Sequence, residues 1–262
     1  MATLNSLLAQ TFKPSHILIV DDGSDAETKY ILSDFARNHP SLISIFTFKD
    51  LGKDYRKIVY FYNYCLERVP STDFHLILAD DILLPENYAE YLINKMQMDE
   101  TLAVCSGNFD DGCLRKPPIT AAEMVRESFF HSFKKYPAYY GFEIWLLYES
   151  LFSGNKIANF NELTFKHLRP LASEHKFKDF GKADYCLGYH PLYMILTCSK
   201  NLFRREGIYS FQILAEYLFC HLGIGLSDGF SNRDNVFRNK VRQHTKQLIF
   251  KFIKHTRDLG SV

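Results

Sequence analysis

Excess charge of either sign is missing from this sequence: 31 Lys and Arg face 30 Asp and Glu, for a formal net charge of +1. Nothing in that balance would draw a polyanion, so nucleic acid is not a favoured partner. Paired cysteines are missing too. Cys65, Cys105, Cys113, Cys186, Cys198 and Cys220 form no C-x-x-C pair, which removes zinc-ribbon and redox motifs and leaves reduced, mostly buried thiols. There is no Asn-x-Ser/Thr acceptor, and no basic region followed by an apolar signal core at the N-terminus. A cytosolic location is therefore expected. The longest apolar run, Ile208 to Leu226, is broken by Gln212, Glu216 and His221, so it suits a membrane surface better than a bilayer span.

What the sequence has in quantity is apolar and aromatic bulk. Of 262 residues, 47% are hydrophobic and 15% aromatic, enough to bury a substantial core in one large domain or two small ones. Leu4 to Ala9 is helix-like, Lys13-Pro14 breaks it, and the run HILIV from His16 to Val20 reads as a buried strand. Asp21-Asp22-Gly23-Ser24-Asp25 follows, then helical spacing over Ala26 to Arg37, with Ile31, Leu32 and Phe35 on one face. Further strands are expected at Leu42 to Phe48, His75 to Ala79 and Leu102 to Ser106. Helices are expected at Tyr55 to Arg68 and Asn87 to Met98. This alternation predicts an α/β fold with a mostly parallel sheet flanked by helices, whose ligands sit outside the carboxyl ends of the strands.

Both acidic clusters fall at such ends: Asp21-Asp22 after HILIV and Asp80-Asp81 after HLILA. Packed carboxylates repel, and the usual resolution is a divalent cation or a hydrogen-bond donor such as a base or ribose hydroxyl. The plainer reading is that Asp-Asp-Gly-Ser is a turn and helix N-cap. The alternation also places Asp22 and Asp80 on one rim of a single sheet.

The run SLLAQTFKPSHILIVDDGSDAET, Ser6 to Thr28, resembles the opening signature of family 2 glycosyltransferases: a helix ending in Gln-Thr, a Pro, a strand, then Asp-Asp-Gly-Ser. The run HLILADDILLPENYAEYL, His75 to Leu92, is similar to that family's metal-binding motif in its Asp-Asp form, with Leu78 at the first acidic position. The resemblance covers about Ser6 to Asn108 and implies a GT-A-like fold. It also implies nucleotide contacts from Asp21 and Asp22, and Mg2+ or Mn2+ held by Asp80 with Asp81 close by. GKDYRK, Gly52 to Lys57, lies where the family opens a helix near the diphosphate, so Lys53 and Arg56 become phosphate contacts; for Lys53 a solvated loop is an equal reading. Relatives carry an earlier strand that this sequence lacks, which implies either a truncated start or a sheet completed differently.

In the second half, a helix from about Glu143 to Ser153 ends at Gly154, followed by two short strands ending at His167. The resemblance implies that Glu143 is the base that deprotonates an acceptor hydroxyl and that His167 completes the metal site or meets a phosphate. A helix-dipole role for Glu143 and a structural role for His167 stand beside these readings. GKADYCLGYHPLYMIL, Gly181 to Leu196, is similar to an archaeal-type branch of the family and adds His175 and His190 as secondary candidates. The organisation expected is a nucleotide-sugar-binding half over 1–110, an acceptor side over 111–205 and a helical C-terminal part over 206–262. The basic tail around Arg238 to Lys254 suits a lipid-linked acceptor at an anionic surface. The implied chemistry is inverting transfer from a nucleotide-diphosphate sugar to a saccharide or lipid-linked acceptor.

Two other readings stay open. HILIVDDGSD also resembles the first strand of a phospho-accepting receiver domain, with Asp81 and Pro85 imitating its phosphorylation site and Lys116-Pro117 its Lys-Pro. Against it stand the preceding Gln-Thr helix, an Asp22 to Asp81 interval longer than receivers allow, and no DNA-binding output module. The other is a non-catalytic relative that keeps the fold for binding.

Overall fold

The computed structural model describes residues 1–49, 56–69, 71–138, 140–169, 177–202, 207–224 and 235–259. Lys53 and His175 lie outside the described residues, and Arg56 is described by its backbone alone. The chain divides into two compact units: Met1–Tyr136 with Leu146–Ser173, and Pro137–Trp145 with Glu174–Val262.

The first unit opens with helix α1 (Ala2–Leu8) and strand β1 (Ile17–Asp22). Gly23, at φ 79°, makes the turn that ends β1, a conformation that costs an L side chain dearly. Asp25 then caps helix α2 (Ala26–Asn38), its carboxylate accepting the Thr28 N–H at 2.8 Å. Strand β2 (Ile43–Phe48) returns parallel to β1, with Ile17 opposite Ile43 and Asp22 opposite Phe48. Helix α3 (Arg56–Leu66), strands β3 (Phe74–Leu78) and β4 (Ile82–Leu83), and helix α4 (Tyr88–Met98) follow. Strands β5 (Leu102–Phe109) and β6 (Ala122–Arg126), the short helix α5 (Glu127–Phe130), the part of helix α6 (Phe142–Phe152) from Leu146 on, and strand β7 (Lys156–His167) complete the order. The expected α/β class is present, with most element ends within one or two residues of the sequence reading; β5 runs three residues past the expected Ser106.

The sheet departs from expectation in two ways. It is mixed: β1·β2 and β5·β7 are parallel, while β3·β6, β5·β6 and β4·β7 are antiparallel. The stretch from β5 to β6 contains no helix, so the chain cannot make a crossover there and turns back on itself. Among the described residues it is also two ladders, β1-β2 and β3-β6-β5-β7-β4. Asp22 ends a strand of one ladder and Asp80 follows a strand of the other, so a single sheet carrying both acid pairs on one rim is not what forms. β1 and β3 each keep an edge without a ladder partner among the described residues. The two short strands expected before His167 are one strand, β7, whose register against β5 shifts between Gly107 and Asn108.

The core of this unit lies between α4 and the five-stranded ladder. Tyr88, Leu92 and Met96, four residues apart on α4, are each 0% exposed and pack with Leu102, Cys105, Met124 and Phe165. The Tyr88 hydroxyl donates to the Ala122 carbonyl at 2.6 Å and accepts the Gly107 N–H at 2.9 Å, tying β6 to β5 through one phenol. A Cβ at Gly107 would lie 2.2 Å from the Leu163 carbonyl oxygen, which explains the glycine in Ser106-Gly107-Asn108.

Helix α1 is held by polar side chains. Gln10, 1% exposed, donates through Nε2 to the Ser6 carbonyl at 3.0 Å and the Pro85 carbonyl at 2.8 Å, and its Oε1 accepts the Ala89 N–H at 2.9 Å. Thr3 Oγ1 donates to the Asp80 carbonyl at 2.7 Å, and the Thr11 N–H donates to the Glu86 carbonyl at 2.7 Å. The Gln-Thr helix therefore grips the segment from Asp80 to Ala89.

The second unit is helical, with α7 (Phe177–Leu187), α8 (Pro191–Leu202), α9 (Gly207–His221) and α10 (Asn235–Leu259). A Cβ at Gly181 would lie 2.3 Å from the Ile213 carbonyl oxygen, so glycine sets the close approach of α7 to α9. Met194, Cys198 and Tyr217 form its small buried core. Among the described residues no helix is long and apolar enough to cross a membrane. Among the described residues none of the six cysteines is in a disulfide, and four of them are buried.

The Gln10 grip is testable. Gln10→Leu keeps the bulk but leaves the Ala89 N–H and the Pro85 carbonyl unsatisfied, and should destabilise the protein by about 1–3 kcal/mol. Thermal unfolding should record a midpoint several degrees lower; an unchanged midpoint would show that α1 is held by its apolar contacts alone.

Candidate active site

At the end of β1 the two acids part, as successive strand residues must. Asp21 is 2% exposed; its Oδ1 accepts the Ser24 N–H at 2.8 Å, which is the turn role anticipated for Asp-Asp-Gly-Ser. Its Oδ2 is buried without a hydrogen-bond partner, a costly state that calls for a donor. Asp21 lines a pocket of about 310 Å³ with Lys29, Leu32, Ser33 and Ala36 of α2 and Ile45 and Thr47 of β2. Asp22 instead meets α3, accepting from Lys57 Nζ at 2.6 Å. Lys57 is the neighbour of the anticipated Arg56. Its side chain is only 13% exposed, which makes the pair more than a surface contact.

The second acid pair sits between β3 and β4. β4 pairs antiparallel with the end of β7, Ile82 opposite His167, and this ladder carries His167 and Arg169 to the acids. The Arg169 guanidinium joins both carboxylates: Nη2 donates to Asp80 Oδ1 at 2.6 Å and Nε to Asp81 Oδ2 at 2.7 Å. His167 Nε2 lies 3.3 Å from the same Asp81 Oδ2, and His167 Nδ1 is hydrogen-bonded to the Arg169 carbonyl oxygen. The two acids differ in setting: the Asp80 side chain is 86% exposed and that of Asp81 is 12% exposed. Asp81 is thus the acid beside the histidine, and Asp80 the outer one.

The donor set suits a divalent cation. A carbonyl oxygen only accepts, so this contact is made by the tautomer with the proton on His167 Nδ1, whose Nε2 lone pair is then on the Asp81 side. A ligating histidine with its other N–H fixed on a backbone carbonyl is the usual second layer of a metal site. Among the described residues no three His, Cys, Asp or Glu side chains converge as a ready cage. A cation held by Asp81, His167 and Asp80 would therefore take further oxygens from phosphate and water, as Mg2+ and Mn2+ sites do.

The remaining candidates lie elsewhere. Glu143, in the first turn of α6, belongs to the second unit. It follows Gly141 at φ 83°, and the helix ends as expected at Gly154, φ 78°. His190 caps α8: its Nδ1 accepts the Leu192 N–H at 3.2 Å, and Pro191 opens the helix. Burial, with Arg242 and Lys246 nearby, holds its ring below the ordinary histidine range. Arg169 and Lys57 were not singled out from sequence. Their only signal was a basic residue close to an anticipated one, in His167-Leu168-Arg169 and in Arg56-Lys57.

The model of the family described as Glycosyl transferase family 2 matches residues 2–144. No curated protein matches the chain. Among solved structures it is similar to the mannosyltransferase PcManGT from Pyrobaculum calidifontis in complex with GDP-Man and Mn2+, with TM-score 0.56 and 13% identity over 98% of this chain and 82% of that one. It is also similar to TarS 1-349 of S. aureus, TM-score 0.51 and 18% identity over 88% of this chain and 70% of that one. A third, GalNAc-T7 with UDP, GalNAc and Mn2+, gives TM-score 0.56 and 13% identity over 82% of this chain but only 51% of that one. The likeness establishes the GT-A fold.

The His167 tautomer can be read directly. Nitrogen-15 NMR of the ligand-free protein, at a pH where the ring is neutral, should find the proton on Nδ1; a proton on Nε2 would remove the lone pair that a cation needs.

Proposed function

The chain belongs to glycosyl transferase family 2, and from that premise we propose that it moves a hexosyl group from a nucleotide-diphosphate sugar to a hydroxyl of a saccharide or lipid-linked saccharide. The observation that carries this reading is the pairing of Asp81 with His167 at the β4–β7 ladder, with Asp80 joined to Asp81 through the Arg169 guanidinium. Membership sets aside the receiver reading, because the matched stretch contains both acid pairs that imitated one.

Each group has a task in this scheme. Asp21, with a buried oxygen awaiting a donor, and Asp22, held by Lys57, receive the base and ribose of the donor. Lys53, outside the described residues, and Arg56 are assigned to the phosphates. Glu143 takes the proton from the acceptor hydroxyl, whose oxygen attacks the anomeric carbon as the diphosphate departs, inverting that carbon. When bound at Asp80, Asp81 and His167, Mg2+ or Mn2+ supplies positive charge opposite the departing diphosphate; two of the structural neighbours are complexes with Mn2+.

Residues 1–110 are assigned to the donor and 111–205 to the acceptor. The exposed apolar side chains Ile208, Phe211 and Leu222 of the last part support peripheral contact with the cytosolic face of a membrane, in polysaccharide biosynthesis.

Substitution separates the tasks. Asp80→Asn and Asp81→Asn should weaken donor binding in Mn2+ and turnover together, because an amide is a poorer, uncharged ligand. Glu143→Gln should leave donor affinity nearly intact while transfer falls by about two to four orders of magnitude, the usual worth of a positioned base. Calorimetry for binding and product formation for transfer decide between them. Wild-type transfer in Glu143→Gln would place the base elsewhere, and donor binding without any transfer by the unaltered chain would favour a binding protein of the same fold.

A further inference from the structure

Arg169 stands where a cation would otherwise be needed. Two neighbouring carboxylates repel, and a single guanidinium relieves them, giving Nη2 to Asp80 Oδ1 at 2.6 Å and Nε to Asp81 Oδ2 at 2.7 Å. The planar fork of arginine is suited to bridging oxygens in this way, where lysine would present only a point charge. Asp81 Oδ2 is also the oxygen 3.3 Å from His167 Nε2. That oxygen cannot serve the guanidinium and a cation shared with the His167 lone pair at full strength together. The charges agree with the geometry: two carboxylates and one guanidinium leave −1 for an incoming cation, whereas the carboxylates alone would offer −2. The side chains of Arg169 and Asp80 are 47% and 86% exposed, within reach of an incoming ligand.

We propose that Arg169 is a built-in counter-cation of the acid pair: it holds the donor-free protein in a state of weak affinity for divalent cations and yields when a nucleotide diphosphate arrives. The proposal rests on the reading of Asp80, Asp81 and His167 as cation ligands. The diphosphate gives the guanidinium new oxygens of the kind it binds best, and the vacated carboxylates then accept the cation. Cation and diphosphate must therefore raise each other's affinity by the same factor, as linkage requires. Binding would be ordered without a moving domain, through exchange of partners by one side chain.

The test is Mn2+ binding to the full chain by electron paramagnetic resonance, with and without UDP or GDP, in wild type, Arg169→Met and Arg169→Lys. Without nucleotide, Arg169→Met should bind Mn2+ about tenfold more tightly than wild type, the effect of removing two ion pairs of ordinary strength. Arg169→Lys, which keeps the charge but loses the fork, should fall between them and serves also if the methionine variant folds poorly. The diphosphate should raise Mn2+ affinity strongly in wild type and little in Arg169→Met. Equal donor-free Mn2+ affinity in wild type and both variants, lost on Asp81→Asn, would overturn the counter-cation while leaving the cation site standing. No Mn2+ binding in any form, even with diphosphate, would overturn both.

Discussion

Gln10 carries a primary amide to a position 1% exposed, where any unused hydrogen-bonding capacity would cost about 1–3 kcal/mol. It meets that condition by spanning two elements, taking its own helix at Ser6 and the segment after the acid pair at Pro85 and Ala89. Thr3 and Thr11 add their bonds to Asp80 and Glu86. A buried polar group of this kind cannot slide, because every shifted register leaves an orphan. The position of Asp80 and Asp81 is thus set from behind by α1, and α4 begins within the gripped segment, which places Tyr88 to close the core between β5 and β6. The Gln-Thr pair of the opening signature has a physical meaning here: it is the clasp of the acid loop.

The acid loop is then approached from the front by β7. The antiparallel pairing of Ile82 with His167 brings residues 88 apart in the chain into one cluster. His167 and Arg169 arrive together because both lie at the end of that strand, and they do different things. The histidine sets one ring nitrogen on a backbone carbonyl and the other beside Asp81, while the guanidinium bridges the two acids. At β1 the same economy of opposite charges recurs: Asp22 is satisfied by Lys57, and Asp21 keeps one oxygen buried and open.

Several features could be seen before folding because they depend only on neighbours in the chain. The strand HILIV, the turn at Gly23, the Asp25 cap, the α4 stripe and the Gly154 helix end are decided by β-branched runs, left-handed backbone and 3.6-residue spacing, all local properties. The acid pairs were legible for the same reason, as carboxylates at strand ends, and His167 as a residue ending the last strand of its half. The mixed sheet was less legible. Whether a strand runs parallel or antiparallel depends on what lies between it and its partner, and the helix-free stretch from β5 to β6 sends the chain straight back.

By itself the sequence determined the class of the fold, the elements and their caps, and which residues could do chemistry. Tertiary structure decided which of them meet. It turned Asp21 and Asp22 towards opposite helices, made Asp81 rather than Asp80 the partner of His167, assigned His190 to a helix cap, and brought Arg169 and Lys57 to the acids. The reason is that a charge finds its counter-charge through space. A carboxylate at the end of one strand carries no mark of the arginine that a ladder formed nearly ninety residues later will set against it.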